Sequence, residues 1–276
     1  MTVATALRAA CTRLATTSDT ARLDAEVLMA HALGVSRSDL LLRHMDRPAP
    51  VAFAGMISRR REHEPVAYIV GHQEFFGLGF KVTPDVLIPR ADSEVLVAQA
   101  LKAKPEARYV LDCGTGSGAL LLAVLAHLPE AVGVGIDRSP AALAVAQANA
   151  EGLGLSDRAR MAVADWDGPA WADTLGGPFD LILANPPYVE EAADLAPSVR
   201  HHEPSGALFA GPDGLDAYRV LLPQLPALLA PRGTALIEIG ANQAAQVLEI
   251  TGAAGLTGAL HHDLAGRPRV VEITAS

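Results

Sequence analysis

The chain has 276 residues, and half of them are hydrophobic, so it can bury the core of one large domain or of a catalytic domain with a smaller companion. Its 22 Lys and Arg residues are outnumbered by 31 Asp and Glu residues. The formal net charge of −9 argues against a partner held mainly through phosphate contacts, which require clustered cations. We therefore expect no direct binding of nucleic acid.

Cysteine usage and hydropathy indicate a cytoplasmic protein. The two cysteines, Cys11 and Cys113, lie far apart and have no metal-ligand spacing, which is typical of small buried side chains in a reducing compartment. The amino terminus lacks the uninterrupted apolar segment of a signal peptide. No apolar run is long enough and free enough of charge to span a bilayer, so we expect no membrane association.

Helical spacing extends over residues 1–73. Apolar residues recur three or four positions apart, as at Leu7, Cys11 and Leu14. A second apolar stripe ends at Gly34, and prolines separate two further short segments. We predict four short helices that form a small bundle.

The pattern changes after residue 73. Residues 74–90 contain aromatic residues interrupted by glycines, which is typical of a hairpin, and we interpret them as a connector. From residue 91 to residue 276, helical and strand patterns alternate, which predicts a parallel sheet with helices on both faces. Strands are predicted over 109–111, 132–136, 160–164, 179–184 and 234–239, with two final strands before 263 and around 270–273.

A glycine-rich turn follows the first strand of this sheet and opens a helix. Its glycines permit a tight turn and a close approach to a ligand, and the helix start offers free N–H groups. Asp137 ends the next strand, where its carboxylate can accept hydrogen bonds from both hydroxyls of a ribose. The pattern also fits a nicotinamide-dependent oxidoreductase, or a plain turn in which Asp137 caps the next helix. Asp112, just before the glycines, resembles methyltransferases more than dehydrogenases.

Asp165 and Trp166 end the third strand, at the same edge of the sheet. The indole can pack on an adenine whose amino group the carboxylate accepts, or Trp166 can simply close the edge of the core. Together these elements predict a cofactor site formed by Gly114, Thr115, Gly116, Ser117, Gly118, Asp137 and Trp166.

The most specific stretch is Asn185-Pro186-Pro187-Tyr188, which an apolar strand delivers to that edge. A planar amide or arylamine nitrogen is a poor nucleophile, so it must be held with its lone pair aimed at an electrophilic methyl group. The Asn185 side-chain oxygen and the Pro186 carbonyl can accept its two N–H hydrogens, and the prolines stiffen that backbone. Tyr188 can pack against the planar group. We assign Asn185, Pro186 and Tyr188 to catalysis, and all four residues to substrate binding.

With these motifs the chain resembles the HemK/PrmC family of protein-(glutamine-N5) methyltransferases, which modify the Gly-Gly-Gln glutamine of class 1 peptide-chain release factors. The resemblance extends over nearly the whole chain. Ala91 stands for a usual proline, Ser93 for a usual threonine and Cys113 for a usual leucine. The other resembling blocks are Arg22–Glu26, Arg61–Gly71, Leu87–Glu94, His202–Pro204, Asp213–Arg219, Glu238–Gly240 and Asp263–Arg267.

The resemblance implies a Rossmann-like, seven-stranded class I methyltransferase sheet with a small N-terminal helical domain that recognises the release factor. It implies S-adenosylmethionine as the methyl donor, S-adenosylhomocysteine as the product, and no metal. Asn185 would contact both donor and substrate. We expect a monomer whose partner is a class 1 release factor.

Other functions share part of this pattern. A sister group methylates a glutamine of a large-subunit ribosomal protein, but it tends to have Arg-Ser-Pro where this chain has Arg90-Ala91-Asp92. A DNA adenine-N6 methyltransferase uses Asn-Pro-Pro-Tyr but fits poorly with the negative charge. An oxidoreductase leaves that motif unexplained, and a non-catalytic donor-binding scaffold would have lost it. The release-factor branch is therefore favoured.

Three further groups are interpreted without a catalytic role. Arg59-Arg60-Arg61 is more typical of a solvated helix face than of contact with an acidic partner or ribosomal RNA. The pairs His201-His202 and His261-His262 point in different directions, so we expect no metal there. Glu203 and Glu238 are interpreted as structural.

Overall fold

The structure, a computed structural model, describes residues 1–275 as two compact units. The first combines Met1–His72 with Leu195–Glu203. The second combines Gln73–Asp194 with the chain from Pro204 onward. The sequence pattern assigns residues 195–203 to the second part of the chain, whereas the structure groups them with the N-terminal helices.

Twelve α-helices and nine strands form the regular structure of residues 1–275. The helices are α1 (Val3–Leu14), α2 (Ala21–Leu33), α3 (Arg37–Arg43), α4 (Ala52–Arg61), α5 (Val66–Val70), α6 (Glu94–Ala103), α7 (Ala119–His127), α8 (Pro140–Gly152), α9 (Pro197–His202), α10 (Asp216–Leu221), α11 (Leu225–Leu228) and α12 (Ala244–Ala253). The strands are β1 (His72–Phe75), β2 (Leu78–Lys81), β3 (Tyr109–Cys113), β4 (Val132–Asp137), β5 (Ala159–Val163), β6 (Phe179–Ala184), β7 (Leu229–Glu238), β8 (Leu256–His262) and β9 (Pro268–Ala275). Within this range, none of the helices has the length and apolar character needed to cross a membrane.

The first unit is a bundle of short helices whose ends are set by local sequence. Thr2 and Ser36 cap α1 and α3, because their hydroxyls accept hydrogen bonds from the backbone N–H of Thr5 and Asp39. Gly34 ends α2 in the left-handed conformation, at φ 66°. The core between the helices includes the fully buried side chains of Leu14, Leu28, Met29, Leu40 and Ile57.

The structure has α1–α5 in this region, where four helices were predicted. The fourth helix ends at Arg61 instead of continuing to Pro65, and His63 has a φ of 64° in the turn that follows. A separate helix, α5, begins directly after Pro65. Proline has no N–H and is tolerated at a helix start but not inside, so Pro65 stands at the N-cap of α5, a helix that was not predicted from sequence.

Arg60 is not part of a solvated face, in contrast to the interpretation of Arg59–Arg61 from sequence. Its Nε donates to Asp24 Oδ2 at 2.7 Å, and the two side chains are only 12% and 9% exposed. The hydroxyls of Ser18 and Thr20 donate to the same carboxylate at 2.7 and 2.9 Å. A buried charge is tolerated when it is paired and hydrogen bonded, so Arg60 joins α4 to α2.

The second unit is built on a seven-stranded sheet, as predicted. Its strand order is β5-β4-β3-β6-β7-β9-β8, with β3 and β6 near the middle. Residues of β3, β4 and β6 are buried almost throughout, because hydrophobic clusters with helices cover both faces of the sheet. The five strands from β5 to β7 pair in parallel, so their carboxyl ends lie at one edge.

The sheet is mixed and not entirely parallel, because β9 runs antiparallel to both β7 and β8. Only residues 263–267 separate β8 from β9. A parallel neighbour needs a crossover of about a dozen residues or more, so this connection permits only a hairpin. The Asp263 carboxylate stabilises the turn by accepting the backbone N–H of Ala265 and Arg267, each at 2.9 Å.

A two-stranded sheet of β1 and β2 occupies the beginning of the segment predicted as a hairpin connector. Phe75 and Phe80 from these strands belong to the core cluster of the second unit, with their ring centroids 6.1 Å apart. Asn149 from α8 accepts the Lys81 N–H at 2.7 Å and donates to the Lys81 carbonyl at 3.0 Å. These contacts make β2 and Phe75 part of the core of the second unit.

Candidate active site

The carboxyl ends of β3, β4, β5 and β6 border a cleft of about 400 Å³. A cleft of this size is in the range of small-molecule sites. The sequence-predicted residues that line it are Gly114, Thr115, Gly116, Ser117, Asp137, Trp166, Asn185 and Pro187. The predicted residues that do not line it are Gly118, Pro186 and Tyr188.

The glycine loop after β3 has a backbone conformation that other residues adopt only with strain. The φ angle is 74° at Gly114, 54° at Gly116 and 81° at Gly118. The N–H groups of Gly114 and Thr115 both donate to the Ile136 carbonyl, at 2.9 and 2.8 Å. These bonds anchor the loop to the end of β4, so its shape is fixed by the protein itself.

Gly118 has a packing role. It is the N-cap of α7, and a Cβ there would lie 3.0 Å from Leu122 Cδ1 and 3.3 Å from Ala146 Cβ. Ala146 belongs to α8, so the missing side chain allows α7 and α8 to approach each other. The sequence assigned Gly118 to cofactor binding, whereas the structure places it outside the cleft lining.

Asp137 ends β4 and presents a half-buried carboxylate to the cleft. One oxygen accepts the Gly116 N–H at 3.0 Å and the other accepts the Ser139 N–H at 2.9 Å. Ser139, and not Asp137, is the N-cap of α8, where its hydroxyl accepts the Ala142 N–H. A carboxylate has about four acceptor positions, so Asp137 can still accept hydrogen bonds from two hydroxyls of a ligand.

Trp166 lies both at the cleft and at the edge of the hydrophobic core. Its indole lines the cleft beside the exposed Asp165. The ring also lies against the glycine loop, since a Cβ on Gly114 would come within 3.1 Å of ring atom Cη2, and it packs on the hydrophobic core. A flat apolar ring next to a carboxylate suits a planar base that carries an amino group.

Asp112 is fully buried at the end of β3 and does not reach the cleft. Burial raises the pKa of Asp112 to about 7, although a hydrogen bond from the Thr115 hydroxyl opposes the rise. That hydroxyl donates to Asp112 Oδ2 at 2.7 Å, while Oδ1 has no hydrogen-bond partner within residues 1–275. The Asp112 carboxylate therefore stabilises the glycine loop through its hydrogen bond with the Thr115 hydroxyl.

The Asn-Pro-Pro-Tyr motif follows β6, and the structure divides its four residues. Asn185 and Pro187 line the cleft, and Asn185 Nδ2 donates to Ser93 Oγ at 3.3 Å. Pro186 is buried. The Tyr188 hydroxyl donates to Glu238 Oε1 at 3.3 Å. Asn185 is thus the member of the motif whose polar side chain is placed at the cleft.

Gln243 holds the backbone that follows this motif. Its Nε2 donates to the carbonyl oxygens of Tyr188 and Gly214, at 3.0 and 3.2 Å. Its Oε1 accepts the Gly240 N–H at 3.0 Å. The side chain is only 9% exposed, so one buried amide joins three loops. A single glutamine carries no recognisable sequence signal, and Gln243 was not identified from sequence.

Glu238 ends β7, is 1% exposed and was interpreted from sequence as structural. Burial raises the pKa of Glu238 to about 7, while the Ser93 hydroxyl and the charge of Arg269 oppose the rise. Burial, and then the charge of Glu238, raises the pKa of Tyr188 well above its usual value. The sequence offered one signal that Glu238 lies near the site. Glu238 is a carboxylate at the carboxyl end of the strand beside β6, and that end belongs to the ligand-binding edge of the sheet.

Other cleft residues lie outside the motifs assigned from sequence. Arg90 and Ser93 line the cleft from the segment Leu87–Glu94, which carried part of the family resemblance but received no role. Phe75 and Phe209 line it from the β1–β2 hairpin and from a loop before α10. The loop around Phe209 has no periodic pattern, so the sequence offered no signal for that side chain.

The histidines do not gather with other ligands. Within residues 1–275, no three or more His, Cys, Asp or Glu side chains are arranged to hold a metal ion. His261 Nε2 lies 2.8 Å from Glu272 Oε2, and His202 Nε2 lies 2.9 Å from the Glu62 carbonyl oxygen. Each histidine pair therefore has one member in a hydrogen bond within the protein.

The fold and the cleft together define a Rossmann-like methyltransferase. A family model described as the methyltransferase small domain matches residues 91–202. A methyltransferase structure from Pyrococcus furiosus has a TM-score of 0.52 and 16% identity, covering 73% of this chain and 91% of that one. The hMettl16 catalytic domain in complex with MAT2A 3′UTR hairpin 6 has a TM-score of 0.56 and 16% identity, covering 80% and 84%. These two structures support the fold alone.

The N-terminal helices narrow the class, because the family model of the PrmC N-terminal domain matches residues 5–71. Proteins named release factor glutamine methyltransferase from Cereibacter sphaeroides and Moorella thermoacetica are each 44% identical to this chain. Both matches cover 98% of this chain, and they cover 98% and 97% of the respective relatives. A relative of the same name from Mycolicibacterium smegmatis is 37% identical, covering 98% of this chain and 96% of the relative. The chain belongs to the release factor glutamine methyltransferase family.

Proposed function

We propose that the protein transfers a methyl group from S-adenosylmethionine to the side-chain amide nitrogen, N5, of the glutamine in the Gly-Gly-Gln motif of class 1 peptide-chain release factors. The observation that carries this proposal is that Asn185 and the glycine loop line the same cleft. Membership in the release factor glutamine methyltransferase family supports the substrate.

The residues present in the cleft fit this methyl donor. Asp137 has acceptor capacity for the ribose hydroxyls, and Trp166 with Asp165 suits the adenine. The loop from Gly114 to Ser117 provides backbone close to the ligand without side chains at its glycines. When bound, S-adenosylmethionine supplies an electrophilic methyl group on a positively charged sulfur.

Asn185 would orient the substrate amide. Its Nδ2 donates to Ser93, so its Oδ1 is the atom that remains to accept an N–H of the glutamine. The Pro186 carbonyl is proposed as the second acceptor. Two such bonds fix the plane of the amide and therefore the direction of the nitrogen lone pair. Positioning of reacting groups can contribute up to roughly 7–11 kcal/mol, so orientation is the main catalytic device we assign to these residues.

No residue has to remove a proton before the methyl group is transferred. An amide N–H becomes strongly acidic once its nitrogen is methylated, and Asn185 Oδ1 would hold that hydrogen until water accepts it. This agrees with the chemistry of the motif, whose side chains include an amide and a phenol but no carboxylate or imidazole.

The N-terminal helical domain, residues 1–73, is proposed to recognise the folded release factor. A pocket for one amide is small and cannot distinguish one exposed glutamine from another. Discrimination then depends on contacts far from the reacting atoms, whose binding energy also helps to position the amide. We further propose that the protein acts as a monomer in the cytoplasm and that it binds no nucleic acid directly.

A methylation assay tests this function. Labelled S-adenosylmethionine would be offered with an intact release factor, the same factor with its Gly-Gly-Gln glutamine changed to alanine, a large-subunit ribosomal protein, and DNA. We expect label in the intact factor alone, at the glutamine found by mass spectrometry. Label in the alanine variant, or only in ribosomal protein or DNA, would overturn the proposal. Calorimetry should also show binding of S-adenosylhomocysteine and none of NAD.

A further inference from the structure

We propose that Gln224 is a positioning residue for donor binding, which keeps Trp166 at the cleft by a hydrogen bond to its main chain. The inference deepens the proposed function and rests on the donor site described there. The feature behind it is that one glutamine side chain forms hydrogen bonds with both tryptophans of the chain, Trp166 and Trp171.

The segment that carries Trp166 runs between β5 and β6 and forms turns, without a helix or strand of its own. Such a segment depends on bonds to its surroundings to keep one conformation. Arg160 holds its end, since its Nη2 donates to the carbonyl oxygens of Thr174 and Leu175 at 3.3 and 2.9 Å. Gln224 holds its beginning, where Trp166 lines the cleft.

Gln224 ends the 3₁₀ turn Leu222–Gln224, between α10 and α11. Its Nε2 donates to the carbonyl oxygens of Trp166 and Val220, at 3.1 and 2.7 Å. Its Oε1 accepts the indole N–H of Trp171 at 2.6 Å. An indole N–H only donates and a carbonyl oxygen only accepts, so a single orientation of the carboxamide satisfies all three partners. These partners therefore fix the side chain that holds Trp166.

The position of the Trp166 ring decides the shape of the cleft. The ring lies so close to the glycine loop that a Cβ on Gly114 would come within 3.1 Å of ring atom Cη2. Val220, the other carbonyl partner of Gln224, lines the cleft from α10. One carboxamide thus joins two walls of the cleft. A ligand site whose walls are held in place before binding loses less free energy to ordering when the ligand binds.

Calorimetry and kinetics of Gln224→Ala test this role. The Kd for S-adenosylhomocysteine should rise by on the order of 5–30-fold, because Trp166 is no longer held at the cleft before binding. The kcat at saturating donor should stay within a few-fold of wild type, since the groups that orient the substrate amide are unchanged. Gln147→Ala is the matched control, because Gln147 is also half-buried, bonds Glu151 at 3.2 Å and lies outside the donor cleft. A wild-type Kd in Gln224→Ala would overturn the proposal.

Two further variants separate the positioning of Trp166 from general support of its segment. Arg160→Ala releases the other end of the same segment and should raise the Kd much less than Gln224→Ala does. In a Trp166→Ala background, Gln224→Ala should have little further effect on the Kd, because the ring that it positions is gone. An equal loss in Arg160→Ala, or the same effect of Gln224→Ala with and without the ring, would show that Gln224 does not act through Trp166.

Nuclear magnetic resonance tests the contact without donor or release factor, which separates this inference from the proposed function. Trp171→Phe assigns the two indole N–H signals of the chain. Gln224→Glu keeps an acceptor for Trp171 but places a second oxygen against the two carbonyl groups, so it should shift the Trp166 signal and leave the Trp171 N–H slow in solvent exchange. Gln224→Ala should change both signals. An unchanged Trp166 signal in both variants would overturn the positioning role, whereas failure of the wild type to methylate release factor would overturn only the function.

Discussion

Asn185 contributes two different groups to its surroundings, an NH₂ already bonded to Ser93 and an oxygen at the cleft. We predict that Asn185→Ala lowers the single-turnover rate of methyl transfer by about 100-fold or more, because a misplaced amide loses its aim at the methyl group. Donor affinity should change far less, since the lost interaction belongs to the transition state. Rapid quench and calorimetry measure the two quantities, and a rate within a few-fold of wild type would rule out the role.

Asp112 gives a prediction about pH. Its pKa is raised by burial to about 7 in the folded protein, against about 4 in an unfolded chain. A raised carboxyl pKa means that its stabilising contribution is fully present below pH 4 and is lost as the pH rises toward 7. The fall in the free energy of unfolding from this group should be at most about 4 kcal/mol.

Asp112→Asn should therefore reduce the slope of stability against pH between about 4 and 7. Urea unfolding at a series of pH values measures that slope. Glu238, whose pKa is also raised to about 7, acts in the same window, so part of the slope should remain in the variant. Asp263 has a pKa lowered to about 2 and acts below that window. An unchanged slope would show that burial in the folded protein does not raise the pKa of Asp112.

Three of the sequence-predicted residues that line the cleft share one property, which is a fixed position at the end of a recognisable strand. Gly114, Asp137 and Asn185 each follow an apolar run, so the sheet predicts that they meet. Ser93 and Gln243 form hydrogen bonds with residues that are distant in sequence, Asn185 and Tyr188. No local pattern identifies such pairs, because only the tertiary fold brings their donors and acceptors together.

At the scale of elements, the loop after α9 gives a testable steric constraint. Gly214 has a φ of 70°, and a Cβ there would overlap the Tyr188 carbonyl oxygen and lie 2.8 Å from Gln243 Nε2. Gly214→Ala should therefore displace the Asn-Pro-Pro-Tyr backbone and lower kcat by roughly tenfold or more. The measurement is steady-state kinetics on intact release factor, with the melting temperature recorded alongside.

Gly154→Ala is the matched control for that substitution. Gly154 has a φ of 69°, almost the same backbone strain, but a Cβ there would meet nothing within 4 Å. Both variants should lose about 1 kcal/mol of stability from the left-handed conformation alone, and only Gly214→Ala should lose activity. Equal kinetics in the two variants would show that the loop tolerates the displacement.

Element type was predictable where the apolar pattern was continuous. The sequence-predicted strand over 179–184 is β6, because a run of six residues with five apolar ones has the length of a buried strand and is short for a helix. The spacing of residues 214–229 predicts one helix, but the structure has α10, a 3₁₀ turn and α11 there, and Pro223 and Pro226 account for the breaks. The direction of β9 depended on the short link from β8, a signal that alternation of helices and strands does not contain.

At the scale of the whole molecule, removal of the first unit tests its proposed role in recognition. The variant should begin at Gln73 and also replace residues 195–203 by a short flexible linker, because that segment belongs to the first unit. It should keep its affinity for S-adenosylmethionine and lose most of its kcat/KM on intact release factor, since remote binding energy is gone. Its rate on a short Gly-Gly-Gln peptide should change much less.

Two controls accompany the truncation. Thermal melting should show a cooperative transition, so that lost activity is not lost folding. The full chain should be assayed with both substrates under the same conditions. If the folded truncation methylates intact release factor as efficiently as the full chain, the helical domain is not the recognition module.

The organisation into two parts was predictable because composition and periodicity change near residue 73. The return of residues 195–203 to the first unit was not. The segment forms one short helix, α9, and its membership depends on contacts such as that of His202 Nε2 with the Glu62 carbonyl at 2.9 Å. A stretch this short contains too few apolar residues to show which unit it belongs to.

The first unit is made of two separate chain segments, so it can be divided between two fragments that have to associate to complete it. A fragment of residues 1–72 contains most of that unit, and a fragment that starts at Gln73 carries the missing piece, residues 195–203. We predict that the two fragments, expressed together, reassemble without a covalent link and regain methylation of intact release factor. The same pair with residues 195–203 replaced by the linker should reassemble much less, as co-purification of the two fragments would measure. Equal recovery of both pairs would mean that residues 195–203 do not hold the fragments together.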